Sequence, residues 1–211
     1  MLALLPIVQH KQHIIWDWNG TLLNDLEHNV ATMNFLLEHE GLPAISEEQH
    51  RLHFGFPVKS YYEKLGFDTS SENFARLCTL FNDHYWSQLE TCSLVDGAVE
   101  LLRELSDMGK TQSLLSATEQ SRLEQAVGRF GIADLFDHIV GIHDNQASGK
   151  LERARELLSR VDLPPENSVM IGDTDHDLEI GNELGIDVIL VEHGHQHPER
   201  LRAMHHTVIP W

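Results

Sequence analysis

The chain has 211 residues, 41% apolar and 23% charged, enough for one buried core or for one core carrying a small inserted module. Its 15 Lys and Arg face 33 Asp and Glu, and the formal charge of −18 repels polyanions, which argues against nucleic acid as a partner and otherwise serves solubility. No apolar run approaches the roughly 20 residues a bilayer span needs, so no membrane partner is expected.

Met1 to Ile7 is apolar but short, lacks a basic n-region and runs into a predicted strand. It is therefore not read as a signal peptide, and a cytoplasmic location is expected. His13-Ile14-Ile15-Trp16-Asp17-Trp18 reads as a buried strand ending at Asp17, stopped by Asn19-Gly20. From about Leu26 to Leu89 the pattern is wholly helical. Leu26, Val30, Met33 and Leu37 repeat at helical spacing before Gly41, and Ser46-Glu47-Glu48-Gln49 fits a capping box. Gly55-Phe56-Pro57 is a loop, and Phe74, Leu77, Cys78, Phe81 and Tyr85 form another one-sided stripe. Cys78 and Cys92 are too few for a disulfide framework.

After Leu94 the pattern changes. Helices are predicted at Ala98 to Met108, Glu119 to Arg129, Leu151 to Arg160 and His176 to Leu184. Strands are predicted at Thr111 to Ser116, His138 to Ile142, Ser168 to Ile171 and Asp187 to Val191, with Thr207 to Ile209 as a last edge strand. Strands alternating with single helices predict an α/β fold with a parallel sheet. The first strand belongs with this later set. The predicted division is thus an α/β core over 1–23 and 93–211, interrupted by a helical cap over 24–92.

Ligands of an open α/β sheet bind beyond the carboxyl ends of its strands. There this sequence offers Asp17, Asn19 and Thr21; Ser116 and Thr118; Lys150; and Gly172, Asp173, Asp175 and Asp177. Such a set suits phosphoryl transfer. A carboxylate can attack phosphorus, a hard cation on several carboxylates neutralises charge, and a hydroxyl and a Lys can hold the phosphate oxygens. Plainer roles exist for each: Asp17 as a helix cap, Ser116 or Asp175 as an N-cap, Lys150 as a solvated surface residue, Asp177 as a first-turn carboxylate favoured by the helix dipole.

Asp17-Trp18-Asn19-Gly20-Thr21-Leu22 resembles the first motif of the haloacid dehalogenase superfamily, whose usual form is Asp-x-Asp-Gly-Thr-Leu. Leu114-Leu115-Ser116 resembles the second, Lys150 the third, and Gly172-Asp173-Thr174-Asp175-His176-Asp177 the fourth. The helical insertion lies where that family's C1 cap does, and Val95-Asp96-Gly97 and Gly55-Phe56-Pro57 resemble the phosphoglycolate-phosphatase-like branch. The resemblance implies a Rossmann-like core, Mg²⁺ as cofactor and a small phosphorylated metabolite as substrate, in a monomer or homodimer. Asp17 would be nucleophile and metal ligand, with the Asn19 carbonyl and Asp173 as further ligands. Asp177 would be a ligand through water or the partner of Lys150. Substrate would be held by Gly20, Thr21, Ser116, Ala117 and Lys150, and by Gly55 and Phe56 of the cap.

Asn19 departs from the pattern. Family phosphatases carry a second Asp there, which protonates the leaving alcohol and later activates water, help typically worth about 10²–10⁴-fold. An amide cannot do this, although it can still offer its backbone carbonyl and donate a hydrogen bond to the leaving oxygen. Three outcomes are open: substrates with good leaving groups or a borrowed acid such as a cap His; a slow hydrolase that accumulates the aspartyl-phosphate; or a phosphate-ligand binding protein without turnover. A phosphonatase-like carbon–phosphorus hydrolase is a further alternative, with Lys59 or Lys64 as the Schiff-base Lys. A haloacid dehalogenase is disfavoured by the two acidic residues of the fourth motif. Among the 15 histidines, His193, His195 and His197, with His205 and His206 nearby, read either as a solvated loop or as transition-metal ligands.

Overall fold

The structure, a computed structural model, describes residues 4–143 and 149–211. A short helix α1 (Leu4–Val8) leads into β1 (His13–Trp16), after which β2 (Leu23–Asn24) opens the helical insertion α2 (Leu26–His39), α3 (Glu47–His53), α4 (Val58–Lys64) and α5 (Ser71–Ser87). The chain returns through β3 (Ser93–Leu94) and continues as α6 (Ala98–Asp107), β4 (Thr111–Glu119), α7 (Gln120–Phe130) and β5 (His138–Ile142). It ends with α8 (Lys150–Arg160), β6 (Ser168–Gly172), α9 (Asp175–Leu184), β7 (Asp187–Val191), α10 (Pro198–Met204) and β8 (Val208–Ile209).

Six strands form one sheet in the order β5-β4-β1-β6-β7-β8, and every neighbouring pair is parallel. The period-2 alternation of side chains sorts each strand between two faces. Ile14, Trp16, Leu114, Val169, Ile171, Ile189 and Val191 pack with α6 and α7. Ile15, Leu115, Met170, Val188 and Leu190 pack with α8, α9 and Leu201 of α10. Burial on both faces explains why β1, β6 and β7 read as nearly continuous apolar runs. The insertion has its own core, in which Met33, Leu36, Tyr61, Tyr62, Phe74 and Leu77 are buried together. The short antiparallel pair β2–β3 aligns Leu23 with Leu94 and Asn24 with Ser93 where the chain leaves and re-enters the core.

The predicted α/β fold with an inserted helical region is the fold observed. Differences are local. Leu4–Val8 is helical, not a run into a strand. Two-residue strands such as β2 and β3 are too short to leave a periodic signal, and β4 continues three residues past Ser116 to Glu119, which caps α7 instead of opening it. The stretch read as a histidine-rich loop contains α10, started by Pro198 just inside its N-terminus. Most of the connection between β5 and Lys150, residues 144–148, lies outside the described residues.

Candidate active site

Because β1, β4 and β6 run parallel in adjacent positions, their carboxyl ends bring Asp17, Ser116 and Asp173 together. Asp17, Asp173 and Asp177 are buried, and one oxygen from each lies within 4.8 Å of the others. Lys150, only 3% exposed, is not the solvated residue its position allowed. Its Nζ donates to Asp17 Oδ1 at 2.6 Å and to Asp177 Oδ1 at 2.7 Å. The other oxygen of Asp177 accepts from the N–H and hydroxyl of Thr174 at 3.1 and 2.7 Å. Thr174 is thus the N-cap residue of α9, and Asp175, expected as a candidate for it, is the first helical residue and pairs with Arg200.

The electrostatics follow from burial. Loss of water raises the Asp17 carboxyl well above its ordinary range; Lys150 pulls it down, while Asp177 and Asp173 add to the rise. Asp173 is likewise raised by burial, to about 6, against the pull of His195. Burial opposes charge on Lys150 too, but Asp17 and Asp177 overcome it and hold the ammonium protonated. Three buried carboxyl groups beside one ammonium are an all-oxygen set that fits a divalent cation such as Mg²⁺, which would favour their ionised forms.

Glycines permit this crowding. Gly20 sits at φ +71°, and a Cβ there would lie 2.4 Å from Asp173 Oδ2. At Gly172 a Cβ would meet Asp177 Cγ at 2.3 Å.

A cavity opens between core and insertion. Asp17, Asn19, Ser116, Ala117 and Lys150 line it from the core, and Phe56 from the loop after α3. Ser116 Oγ accepts from the Thr118 N–H at 3.1 Å, which leaves its own hydrogen to donate into the cavity. Gly20, Thr21 and Gly55, expected to touch substrate, are not among the lining residues. The Gly20 N–H is turned to Asp25 Oδ1 at 2.8 Å, the Thr21 hydroxyl donates to Asp173, and Gly55 packs toward Arg200. Lys64 is exposed, and Lys59 lines only an outer depression, so neither reaches the cavity that holds Asp17.

Nothing in the sequence pointed to the network around Asn19. Its Nδ2 donates to Asp25 Oδ2 and to the Tyr85 hydroxyl, both at 2.9 Å, and its Oδ1 accepts from the Thr118 hydroxyl at 2.9 Å. Both amide hydrogens are committed, and the amide is oriented by a carboxylate that would repel its oxygen. The expected hydrogen bond from Asn19 to a leaving oxygen therefore has no free donor. Asp25 stands at the N-cap of α2 without capping it. Instead its two oxygens accept from Asn19, Gly20, Tyr85 and His195, which fills its acceptor sites. Burial works against the Asp25 charge, but His195 and these hydrogen bonds bring it down to about 2. His195 is opposed by burial and raised by Asp25, to about 9.

His195 Nδ1 lies 3.2 Å from His50 Nε2, and His50 Nδ1 lies 2.8 Å from the Tyr61 hydroxyl. Burial and the neighbouring His195 lower His50 well below the usual imidazole range, which assigns a charged His195 donating to a neutral His50. The histidine cluster is thus neither a solvated loop nor a shared ligand set: His195 is 2% exposed, His193 contacts the Thr21 carbonyl, His197 caps α10 and His205 contacts the Val188 carbonyl. The same segment holds the insertion down. Arg51 donates to the carbonyls of Gly194 and Glu192 at 2.8 and 2.6 Å, and Arg200 to that of Phe54 at 2.6 Å.

The family model for haloacid dehalogenase-like hydrolases matches residues 14–191, and the chain belongs to this family. It is 26% identical over 208 residues to a phosphoglycolate phosphatase of Cereibacter sphaeroides, covering 93% of this chain and 95% of that one. It is 25% identical over 202 residues to the tyrosine-protein kinase PtkA of Mycobacterium tuberculosis, covering 95% of this chain and 69% of PtkA. A haloacid dehalogenase-like hydrolase family protein from Streptococcus pneumoniae shares the fold, with a TM-score of 0.81 at 21% identity over 96% of this chain and 94% of that one. Among the described residues no helix is long and apolar enough to cross a membrane.

Proposed function

We propose that this chain is a metal-dependent phosphohydrolase of small phosphate monoesters, working through an aspartyl-phosphate on Asp17. The observation that carries this reading is the buried Lys150 bridging Asp17 and Asp177 beside Asp173, open to a cavity under an inserted cap. The relative named phosphoglycolate phosphatase supports the reaction class. We take the cap as residues 24–92 and the core as 1–23 and 93–211.

Mg²⁺, when bound, would neutralise carboxylate and phosphate charge so that the two anions can meet; Asp17, Asp173 and the Asn19 carbonyl would hold it. Both oxygens of Asp177 are already hydrogen-bonded, which fits it as partner of Lys150 and as an outer, water-linked ligand. Lys150 aims Asp17 and favours its ionised form against burial, and with Ser116 it would receive the phosphate oxygens. An Asp17 oxygen bonds to phosphorus as the ester P–O bond breaks, and the leaving oxygen departs with the electron pair and takes a proton from water. A second water then attacks the phosphorus, releasing inorganic phosphate and restoring Asp17.

The test is Mg²⁺-dependent phosphate release from a panel of monoesters by wild type and Asp17→Asn, with acid-quenched wild type examined for phosphate on the Asp17 peptide. Release by wild type that Asp17→Asn abolishes supports the reading. Equal release by both would remove Asp17 as nucleophile. One specific observation favours a second reading: the fully committed amide of Asn19 supplies no acid. In that case the phosphopeptide accumulates, or ligand binds with Mg²⁺, and no phosphate is released.

A further inference from the structure

We infer that the substrate is the monophosphate of a neutral aromatic hydroxyl compound, an aryl phosphate without a second anionic group. The inference rests on the phosphohydrolase reading above and gives that site its substrate class. Two independent features lead to it.

The first is the leaving-group side of the site. Without an acid at position 19, negative charge grows on the departing oxygen unrelieved, and general acid help of about 10²–10⁴-fold is forgone. The amide cannot compensate, because both hydrogens are held by Asp25 and Tyr85. His195 lines the cavity, but its Nε2–H is held by Asp25 and its Nδ1–H by His50, and His50, a cap imidazole, is not among the lining residues. An aryloxide needs least help. A phenol of the tyrosine type has a pKa of about 10, several units below that of water or an alkyl alcohol.

The second is the cap's share of the cavity lining. The cap contributes Phe54, Phe56, Tyr62, Phe81 and Trp86 together with Met33. A flat ring gains about 2- to 10-fold in affinity per well-placed aromatic contact beyond its area burial. Lys150 and His195 are the cationic residues lining the cavity among the described ones, and both are in ion pairs, with Asp17 and Asp177 and with Asp25. Glu119 adds a carboxylate to the wall. A carboxylate on the substrate, such as that of phosphoglycolate, would be buried without a free cationic partner. The covalent step is the one already written, with phenolate as the leaving group and water supplying its proton.

The experiment reads turnover and binding separately. Turnover compares phenyl phosphate, cyclohexyl phosphate and phosphoglycolate with the Mg²⁺-loaded enzyme. Phenyl phosphate is expected to lead each of the others by at least about 100-fold in kcat/KM. Either competitor within about tenfold of phenyl phosphate overturns the inference. Binding compares phenylphosphonate with phosphonoacetate by calorimetry in Mg²⁺. An advantage of at least about tenfold for phenylphosphonate is expected from one stacked ring and one avoided unpaired carboxylate; equal or tighter phosphonoacetate binding overturns it. If no ester is turned over, the phosphohydrolase reading fails, and the binding comparison alone decides whether the chamber selects neutral aromatic groups. Val58→Arg places a cation on the half-buried chamber wall. It is expected to raise phosphonoacetate affinity relative to phenylphosphonate, and an unchanged ratio counts against charge as the discriminator.

Discussion

Asn19→Asp is the substitution that the family pattern invites and that this site resists. The Asn19 Nδ2 lies 2.9 Å from Asp25 Oδ2, so an aspartate would replace a donor by a second carboxylate against the first. The lost charge-assisted hydrogen bond is worth about 1.5–3 kcal/mol. Two unit charges near 4 Å in a partly buried site repel by about 4 kcal/mol. The cheaper outcome is for one carboxyl to keep its proton. Asp25 is held down at about 2 by His195 and its other donors, so the new carboxyl at position 19 carries the proton. A group raised in the folded state contributes stability below its unfolded pKa and loses it as pH rises through the folded one. The variant should therefore approach wild type only below about pH 4, the unfolded carboxyl value, and be about 2–4 kcal/mol less stable at pH 8. For a chain of this size that is a fall of about 4–16 °C in Tm. Metal-free thermal unfolding from about pH 4 to 8 measures it. A Tm equal to wild type at both ends would refute the amide-to-Asp25 bond as the restraint. The protonated carboxyl introduced at position 19 should also raise hydrolysis of cyclohexyl phosphate relative to phenyl phosphate.

Lys150→Met leaves Asp17 and Asp177 buried without their cation and should cost about 3–5 kcal/mol in metal-free denaturant titrations; a loss below about 1 kcal/mol would contradict the bridge. Mg²⁺ should raise Tm more at pH 8 than at pH 5, because Asp173 at about 6 and the raised Asp17 hold protons that the metal must displace. A Tm increment independent of pH would argue against those carboxylates as ligands. The Asp25–His195 pair contributes fully between about 3.8 and 6.5; it fades as Asp25 protonates toward about 2 and as His195 deprotonates toward about 9. His195→Gln should therefore flatten the alkaline limb between those two imidazole values, and a constant gap from wild type across that range would dismiss the ion pair.

The fold was legible because its signals are long-range in the sequence and local in cause. Apolar β-branched runs such as Ile14-Ile15 mark strands buried on two faces, and stripes such as Phe74, Leu77 and Cys78 mark the insertion's helices. The metal-ligand candidates were legible because each follows a strand. What stayed hidden depends on distance in sequence. Asp25 matches none of the motifs; β2 and β3 fold the loop back and turn its carboxylate to Asn19, and its partners Tyr85 and His195 lie 60 and 170 residues away. Gly20 and Thr21 match a motif, but the same turn commits the Gly20 N–H to Asp25, which no spacing rule reports. The histidine run hid its one buried member, because alternation alone cannot say which imidazole meets a carboxylate.

The missing acid and the aromatic chamber have a common structural origin. Tyr85 belongs to the last cap helix, lines the cavity, and with Asp25 holds the amide of Asn19. Asp25 continues through His195 and His50 to Tyr61 on the cap wall. A carboxylate at position 19 is thus incompatible with the contacts that seat the cap, as long as position 25 is also a carboxylate. Exchanging the two should relieve the conflict. In the double variant Asn19→Asp with Asp25→Asn, the new amide oxygen at position 25 can accept from Gly20 and His195 while its NH₂ donates to the carboxylate at position 19, so charge and hydrogen bonds are both kept. Each single change should destabilise by more than the double change, with a coupling of about 2–3 kcal/mol in favour of the pair. Additive losses would mean that Asn19 and Asp25 act independently, and that the acid's absence has no link to the seating of the cap.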